Sequence, residues 1–301
     1  MEPLDLAILK QIAIEKGCDI ALPIKEKQAI EVVRQFFARV ADHAECREGE
    51  LLFGGGTSLV CAYDELIQRF SEDVDLRFCP RPKSTRRLRQ VFSEVASSLE
   101  GFKLVDSPRA DSRKIEYHLK PVEYDLWQHS ALRSHIKLEI FFADRLSYPA
   151  CLRPLTSIYH RICGFPPEAI IPCVALEQTA IDKLCALIWR VYSQGLTNSR
   201  YDPADMRHLN DLAYLSDRLK VDGAFVQAFR EAFVADSAAR LKSPPDPEAL
   251  IQVALHRLSH IPSYAKDFKR YVENVSYAKQ PPSFDDCLAT LMALLEKIAT
   301  Y

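Results

Sequence analysis

The sequence predicts an α+β fold in which strands and helices alternate in the first half and the second half is helical. Segments of the first half show short apolar runs or strict apolar–polar alternation, which is typical of β-strands. They lie at 51–53, 74–76, 114–120 and 135–142. After residue 172, the apolar residues instead recur at helical spacing. We therefore expect an α+β domain with N-terminal helices at 1–165 and a helical C-terminal domain at 166–301.

The boundary between these domains is predicted from a stretch with many prolines, residues 147–172. Proline and glycine interrupt regular structure, so such a stretch is typical of a junction. The remaining elements follow from the spacing of apolar residues. Helices are expected at 3–17, 26–42, 58–68, 84–99, 174–191, 203–219 and through most of 221–301, with a short strand at 102–106.

The composition bounds the class of protein. Of 301 residues, 48% are hydrophobic, and the formal net charge is −2 at pH 7, so a sizeable core is expected without an overall attraction for nucleic acid. Nine cysteines are scattered without a C-x-x-C pair, which argues against a zinc site or a disulfide framework. No apolar run is long enough to span a bilayer, and the amphipathic N-terminus is unlike a signal peptide. We expect a cytoplasmic protein with reduced thiols and no membrane partner.

The segment at 51–78, LLFGGGTSLVCAYDELIQRFSEDVDLRF, predicts a strand, a glycine turn, a helix and a second strand. Thr57 can cap the helix, and free N–H groups at a helix N-terminus suit a phosphate that glycines allow to approach closely. Asp73 and Asp75 stand at i and i+2 of a strand, so they share a face roughly 6–7 Å apart. Such a pair of carboxylates tolerates burial when a divalent cation lies between them, and Mg²⁺ prefers oxygen ligands. The segment therefore predicts phosphoryl or nucleotidyl transfer.

Two motifs within this segment, GGTSL at 55–59 and RFSEDVDL at 69–76, resemble the signature of the AbiEii/AbiGii-type nucleotidyltransferase toxins. That family belongs to the DNA-polymerase-β-like nucleotidyltransferase superfamily. The resemblance extends over most of the chain from the second predicted helix onward, with specific motifs at three places. It implies a nucleotidyltransferase-fold domain, with a mixed β-sheet flanked by helices, followed by an all-helical domain.

Resemblance to the superfamily also implies a third carboxylate on a strand beside Asp73 and Asp75. Glu139, in the segment KLEI, is its best match. There it would be a metal ligand or a base for the attacking hydroxyl. The alternative is an ordinary residue on the polar face of its strand.

The helix predicted at 174–191 places Lys183 and Arg190 on a stripe with Leu176, Ala180 and Leu187. A lysine on an inward stripe needs a partner, and triphosphate oxygens or carboxylates would suit it. The helix resembles a family motif of the type E-x-x-x-x-D/E-K-L-x-A-L, which implies a nucleotide-binding role for this lysine. The alternative is a lysine that extends to solvent from the edge of the stripe.

Arg207, His208 and Asp211 in the next predicted helix resemble a further family segment. By this resemblance, Asp211 would orient Lys183 or act on the acceptor. His208 is explained as well by packing in a core. Ser71 would contact phosphate or a metal-bound water, or would simply start its strand.

These motifs predict a metal-dependent nucleotidyltransferase that binds a nucleoside triphosphate and Mg²⁺ or Mn²⁺. The candidate residues are Asp73, Asp75 and Glu139 for the metal; Gly55, Gly56, Thr57, Ser71, Lys183 and Arg190 for the nucleotide; and Asp73, Asp75, Glu139, Lys183 and Asp211 for catalysis. An acceptor hydroxyl would attack the α-phosphorus in line, and pyrophosphate would leave.

The family resemblance implies the biological setting. Members are toxins of toxin–antitoxin or phage-defence systems with a separate antitoxin, and some add nucleotides to the 3′ end of tRNA. Six basic residues at 77–89 fit contact with RNA phosphates and fit a solvated loop equally well. Two alternatives stay open: a catalytically silent nucleotide- or RNA-binding module, and a metal-dependent nuclease.

Overall fold

The computed structural model describes residues 5–82, 84–122, 132–194, 202–240 and 246–301. The chain divides into two compact units, residues 1–175 and 176–301. The first unit contains a β-sheet with helices and the second is helical, so the predicted α+β architecture is confirmed. Within the described ranges, no helix is both long and apolar enough to cross a membrane.

The described strands of the first unit form one mixed sheet. They are β1 (Glu50–Gly54), β2 (Val74–Cys79), β3 (Phe102–Leu104), β4 (Arg109–Ala110), β5 (Lys114–Pro121), β6 (Ile136–Phe142), β7 (Cys151–Leu155) and β8 (Ala169–Cys173). Their order across the sheet is β3-β5-β6-β2-β1-β8-β7, with β4 paired to β5. β2 runs antiparallel to β1 and parallel to β6. β2 therefore lies between β1, which leads into the glycine turn, and β6, which carries Glu139.

Helices cover one face of this sheet. The described helices of the unit are α1 (Leu6–Lys16), α2 (Ala21–Val40), α3 (Gly55–Cys61), α4 (Arg86–Ser97) and α5 (Ile158–Cys163). Val74, Leu76 and Phe78 alternate along β2 and are buried. The ring centres of Phe78 and Phe92 of α4 are 5.9 Å apart, and those of Phe92 and Phe36 of α2 are 5.8 Å apart. Because side chains alternate along a strand, the intervening residues of β2 and β6 point to the opposite, polar face.

The second unit is a helical bundle with its own core. Its described helices are α6 (Leu176–Ser193), α7 (Arg207–Leu215), α8 (Gly223–Arg240), α9 (Pro247–His260), α10 (Pro262–Val275) and α11 (Phe284–Ala299). α6 packs against α7, α8 and α9, and α7 packs against α11. The apolar stripe of α6, which includes Ile181, Leu184 and Ile188, is buried in these contacts. The sequence pattern of α6 therefore identifies its core face.

Two segments differ from the sequence expectation. The helix expected at 58–68 is α3, which begins at Gly55 and ends at Cys61. Its end has a tertiary cause: the Cys61 carbonyl accepts a hydrogen bond from the Thr156 N–H at 2.8 Å. The stretch at 147–172, expected as a junction, instead contains β7, α5 and nearly all of β8. The units consequently divide at 175/176, where the expectation was 165/166.

A buried carboxyl in this unit gives a pH-dependent prediction. Glu26 of α2 is fully buried and accepts the Ile158 N–H at 2.7 Å. Burial raises the pKa of Glu26 to about 7, although the Ile158 amide and the Arg161 guanidinium oppose the shift. The folded chain therefore binds this proton more tightly than the unfolded chain. The resulting stabilisation is complete below the unfolded pKa near 4.5 and is lost as the pH rises through 7.

We expect Glu26→Gln, which keeps this side chain uncharged, to remove the loss of stability that the wild type shows as the pH rises. The free energy of unfolding of the variant relative to the wild type should increase by on the order of 3 kcal/mol between pH 4.5 and pH 8. Urea denaturation at several pH values measures it, with Glu48→Gln at an exposed position as the control. A difference that does not change with pH would contradict the raised pKa.

Candidate active site

The glycine turn joins β1 directly to α3, and the Asp75 carboxylate packs on it. Gly55, the first residue of α3, has φ +71°, a conformation that favours glycine. A Cβ added there would overlap the Asp75 carboxylate and lie 2.7 Å from its Cβ and Cγ. In the β1–β2 pairing, Gly54 is the register partner of Asp75. The turn and the second aspartate of the motif are therefore in direct contact.

We expect Gly55→Ala to reduce both stability and activity, because it combines a strained φ with this overlap. The strain alone costs about 1–3 kcal/mol, and displacement of the Asp75 carboxylate adds to it. Gly17→Ala is a matched control, since Gly17 has φ +64° with nothing within 4 Å of the added Cβ. Thermal unfolding and nucleotide incorporation are measured for both variants. Equal losses in the two variants would mean that contact with Asp75 contributes nothing.

The second glycine of the turn is packed under an arginine. A Cβ at Gly56 would overlap the Arg69 guanidinium, whose Cζ would lie 3.4 Å away. Arg69 is buried, and its Nη1 donates to the Phe70 carbonyl at 3.0 Å. Arg69 belongs to the RFSEDVDL motif. The motif therefore places a buried positive charge against the glycine turn.

Thr57 and Ser71 connect the turn to the aspartate strand. Thr57 lies inside α3 and is fully buried, so it does not cap the helix as expected. The Thr57 hydroxyl donates to the carbonyl oxygen of Asp73. The same Thr57 hydroxyl lies 2.8 Å from the Ser71 hydroxyl. These contacts position the segment that carries the first aspartate.

The polar face of the sheet carries carboxylates on three neighbouring strands. Asp75 of β2 is the register partner of Glu139 of β6, which is in turn the partner of Glu116 of β5. Register partners on adjacent strands point to the same face. Asp73 immediately precedes β2, and Lys137 contacts both its carboxylate and that of Glu139, which brings Asp73 to the same surface. The structure therefore brings the three candidate metal ligands onto one surface.

Glu139 already has two cationic partners. Its Oε1 accepts from Lys114 Nζ and its Oε2 from Lys137 Nζ, both at 2.6 Å. Burial by itself would raise its pKa, but the ammonium groups of Lys137 and Lys114 outweigh burial and lower the pKa to about 2. A carboxylate with so low a pKa is a weak base at neutral pH.

Asp73 is also paired with cations, which sequence reasoning missed. Arg133 Nη1 donates to its Oδ1, and Lys137 Nζ lies 3.5 Å from its Oδ2. Lys137 thus lies between Asp73 and Glu139. The alternation of β6 contained the signal, since residues 137 and 139 must share a face. Arg133 precedes the strand, and no pattern in the sequence identifies it.

The donor chemistry of this surface fits a divalent cation at the two aspartates. Asp73 and Asp75 offer the oxygen ligands that Mg²⁺ takes when substrate phosphates complete its shell. No group of three or more His, Cys, Asp or Glu residues in the described ranges is arranged to hold a metal ion. Both oxygens of Glu139 lie in ion pairs, as do those of Asp73, and a role of Glu139 as the third ligand stays a prediction.

The other candidate residues lie in the second unit. Lys183 of α6 donates to Asp211 Oδ2 of α7 at 2.6 Å, and their side chains are only 6% and 0% exposed. Lys183 therefore does not extend to solvent. Arg190, two turns further along α6, pairs with Asp205 and is 40% exposed. His208 is half-buried in α7.

The chain is similar to known nucleotidyltransferases over most of its length. The family model described as nucleotidyl transferase AbiEii toxin, type IV toxin–antitoxin system, matches residues 40–290. Among solved structures, MenT4, a nucleotidyltransferase toxin from Mycobacterium tuberculosis H37Rv, superposes with a TM-score of 0.52 at 19% identity, covering 99% of each chain. This likeness shows a shared fold.

Two further solved structures match with lower scores. An antigenic nucleotidyltransferase-like protein from Paracoccidioides brasiliensis has a TM-score of 0.38 at 14% identity, covering 76% of this chain and 93% of that chain. The CD-NTase CdnG of Bradyrhizobium diazoefficiens, in complex with GTP, has a TM-score of 0.32 at 11% identity, covering 95% of this chain and 97% of that chain. No curated protein sequence matches this chain.

Proposed function

We propose, on the premise that this chain belongs to the AbiEii family of nucleotidyltransferase toxins, that it transfers a nucleoside monophosphate from an NTP to the 3′-terminal hydroxyl of a tRNA. Family membership establishes a nucleotidyltransferase of a toxin–antitoxin system and implies an NTP substrate and an antitoxin partner. The tRNA acceptor, Mg²⁺ and a cytoplasmic location are the proposed parts. All nine cysteines lie in the described ranges as free thiols, which supports a reducing compartment.

The observation that carries the proposal is the contact between the Asp75 carboxylate and Gly55. Transfer to a hydroxyl requires the triphosphate and the catalytic carboxylates to be adjacent. A glycine turn that opens a helix accepts phosphate oxygens on its backbone N–H groups. With Asp75 against that turn, the phosphates and the carboxylate would meet without rearrangement of the sheet.

Nucleotidyltransferases of this kind use a divalent metal, and Asp73 and Asp75 would hold it. When bound, Mg²⁺ would offset negative charge on the phosphates and orient the attacking and leaving oxygens. Arg133 and Lys137 add positive charge at Asp73. Charges held in place by the protein stabilise charge that develops in the transition state. Glu139 is proposed to position Lys137, and its role as a metal ligand or base stays a prediction.

Lys183 is proposed as the nucleotide-binding lysine, with Asp211 as its positioning residue. A lysine held by one buried carboxylate keeps its charge and a defined direction. The motif in α6 and the 2.6 Å contact support this role. Arg190, which is more exposed, is proposed as a secondary contact to the nucleotide.

The test is incubation of the purified chain with labelled NTPs, Mg²⁺ and total RNA. Transfer of label to RNA of tRNA size supports the proposal. Shortening of the RNA would instead identify a nuclease, and neither change would identify a silent binding module. Repeating the assay with tRNA whose 3′ hydroxyl has been oxidised tests the site of attachment, since transfer should then cease.

A further inference from the structure

One aromatic residue interrupts the charged face of the sheet. In β6, the apolar residues Ile136, Leu138 and Ile140 are buried on the helix side, whereas Phe141 lies on the polar face with Lys137 and Glu139. Its side chain is 40% exposed. The hydrophobic effect disfavours a solvent-exposed phenyl ring on a surface of ion pairs. Single exposed apolar side chains are common, so what distinguishes this ring is the charged residues around it rather than its exposure.

The ring is flanked by a cation on each neighbouring strand. Phe141 is the register partner of Arg77 on β2 and of Lys114 on β5. Lys114 Nζ lies 5.9 Å from the centre of the ring. Cations on both sides of an exposed aromatic ring are an arrangement that proteins use to bind single-stranded nucleic acid.

The ring also lies one step from the carboxylates. Residues 139 and 141 share a face and are about 6–7 Å apart along the strand. The register row formed by Glu116, Glu139 and Asp75 is thus next to the row formed by Lys114, Phe141 and Arg77. A nucleotide can span such a separation, with its reacting sugar or phosphate at the first row and its base at the second.

We infer that Phe141 is a stacking platform for a nucleobase, with Arg77 and Lys114 contacting the adjoining phosphates. This inference rests on the proposed function. Both substrates of the transfer carry a nucleobase: the incoming NTP and the 3′-terminal nucleotide of the acceptor. Stacking tolerates any base because every base has a flat aromatic face.

The experiment measures stacking directly and without turnover. The probes are 2-aminopurine riboside triphosphate and a short single-stranded RNA with 2-aminopurine at its 3′ end, whose fluorescence falls when the base stacks. Each is titrated with the full chain as wild type, Phe141→Leu and Phe141→Tyr. The leucine keeps an apolar side chain and removes the ring, whereas the tyrosine retains the ring. Leu152→Ser, at an exposed apolar position on β7, is the control.

We expect Phe141→Leu to weaken binding of one probe by about 5- to 150-fold and to lose its quenching. Phe141→Tyr should remain near wild type. The probe that is affected identifies the base: the triphosphate for the incoming nucleotide, the RNA for the acceptor. The inference is overturned if neither probe binds the wild type, if Phe141→Leu binds both as tightly as the wild type, or if the leucine and tyrosine variants weaken alike.

Labelled-NTP transfer by the same wild-type protein separates this inference from the proposed function. Quenching that depends on the ring, without transfer to RNA, would leave the platform standing and reject the transferase proposal. Transfer to RNA without quenching of either probe would support the transferase proposal and reject the stacking platform.

Discussion

Asp75→Asn is expected to reduce the rate of nucleotide transfer by on the order of 100- to 1000-fold while the fold remains intact. Asparagine has the shape of aspartate, so it keeps the packing against Gly55 and removes only the negative charge. Without that charge, the metal ion loses a ligand beside the phosphates, where negative charge develops during transfer. Incorporation of labelled nucleotide into RNA measures the effect, and thermal unfolding checks the fold.

Asp75 is a cleaner test than Asp73. Substitution of Asp73 would leave Arg133 and Lys137 without a carboxylate between them, so a loss of activity would include rearrangement of those cations. Asp42→Asn, at an exposed acid after α2, controls for a change of one charge on the protein. If Asp75→Asn retained activity within a few-fold of the wild type, the proposed metal site would be wrong.

Lys183→Met is expected to lower the free energy of unfolding by about 3–5 kcal/mol, because it removes the ammonium group that pairs with the buried Asp211 carboxylate. The pair is nearly inaccessible to water, since the two side chains are only 6% and 0% exposed. Urea denaturation measures the loss. Arg190→Met is the matched control on the same helix, and the 40% exposure of Arg190 predicts a change of at most about 1 kcal/mol.

The double variant Lys183→Met with Asp211→Leu separates stability from catalysis. Removing both charges should restore much of the stability, since two apolar side chains replace a desolvated pair. Activity should stay low, because the proposed nucleotide-binding ammonium is still absent. Recovery of transfer together with stability would show that Lys183 acts only within the bundle.

The sequence predicts the strands of the central sheet and the helices of the second unit well. Val74, Leu76 and Phe78 are buried on one face of β2 with Asp73 and Asp75 on the other, as alternation requires. The stripe on α6 likewise predicts which residues form the core. These are local consequences of side-chain spacing, so they do not depend on distant parts of the chain.

Other features depend on contacts between distant residues. α3 ends at Cys61 because Thr156 takes the carbonyl oxygen that a longer helix would use. Pro154 lies on β7, at the edge of the sheet, where a missing N–H is tolerated. Pro172 lies in β8 beside Cys173, the residue at which β8 pairs with β1. The spacing of apolar residues predicts neither the hydrogen bond from Thr156 nor the position of β7 in the sheet.

The candidate site divides in the same way. The glycine turn and both aspartates are proposed from the sequence because their residue types and spacing fit a phosphate and a metal ion, and Lys183 and Asp211 are proposed from the family resemblance. The partners of these residues were decided only by the tertiary structure: Asp75 lies on Gly55, and Lys137 lies between Asp73 and Glu139. The reason is physical, since spacing along a strand sets the face on which a side chain lies, whereas the pairing of strands sets the charge it meets there.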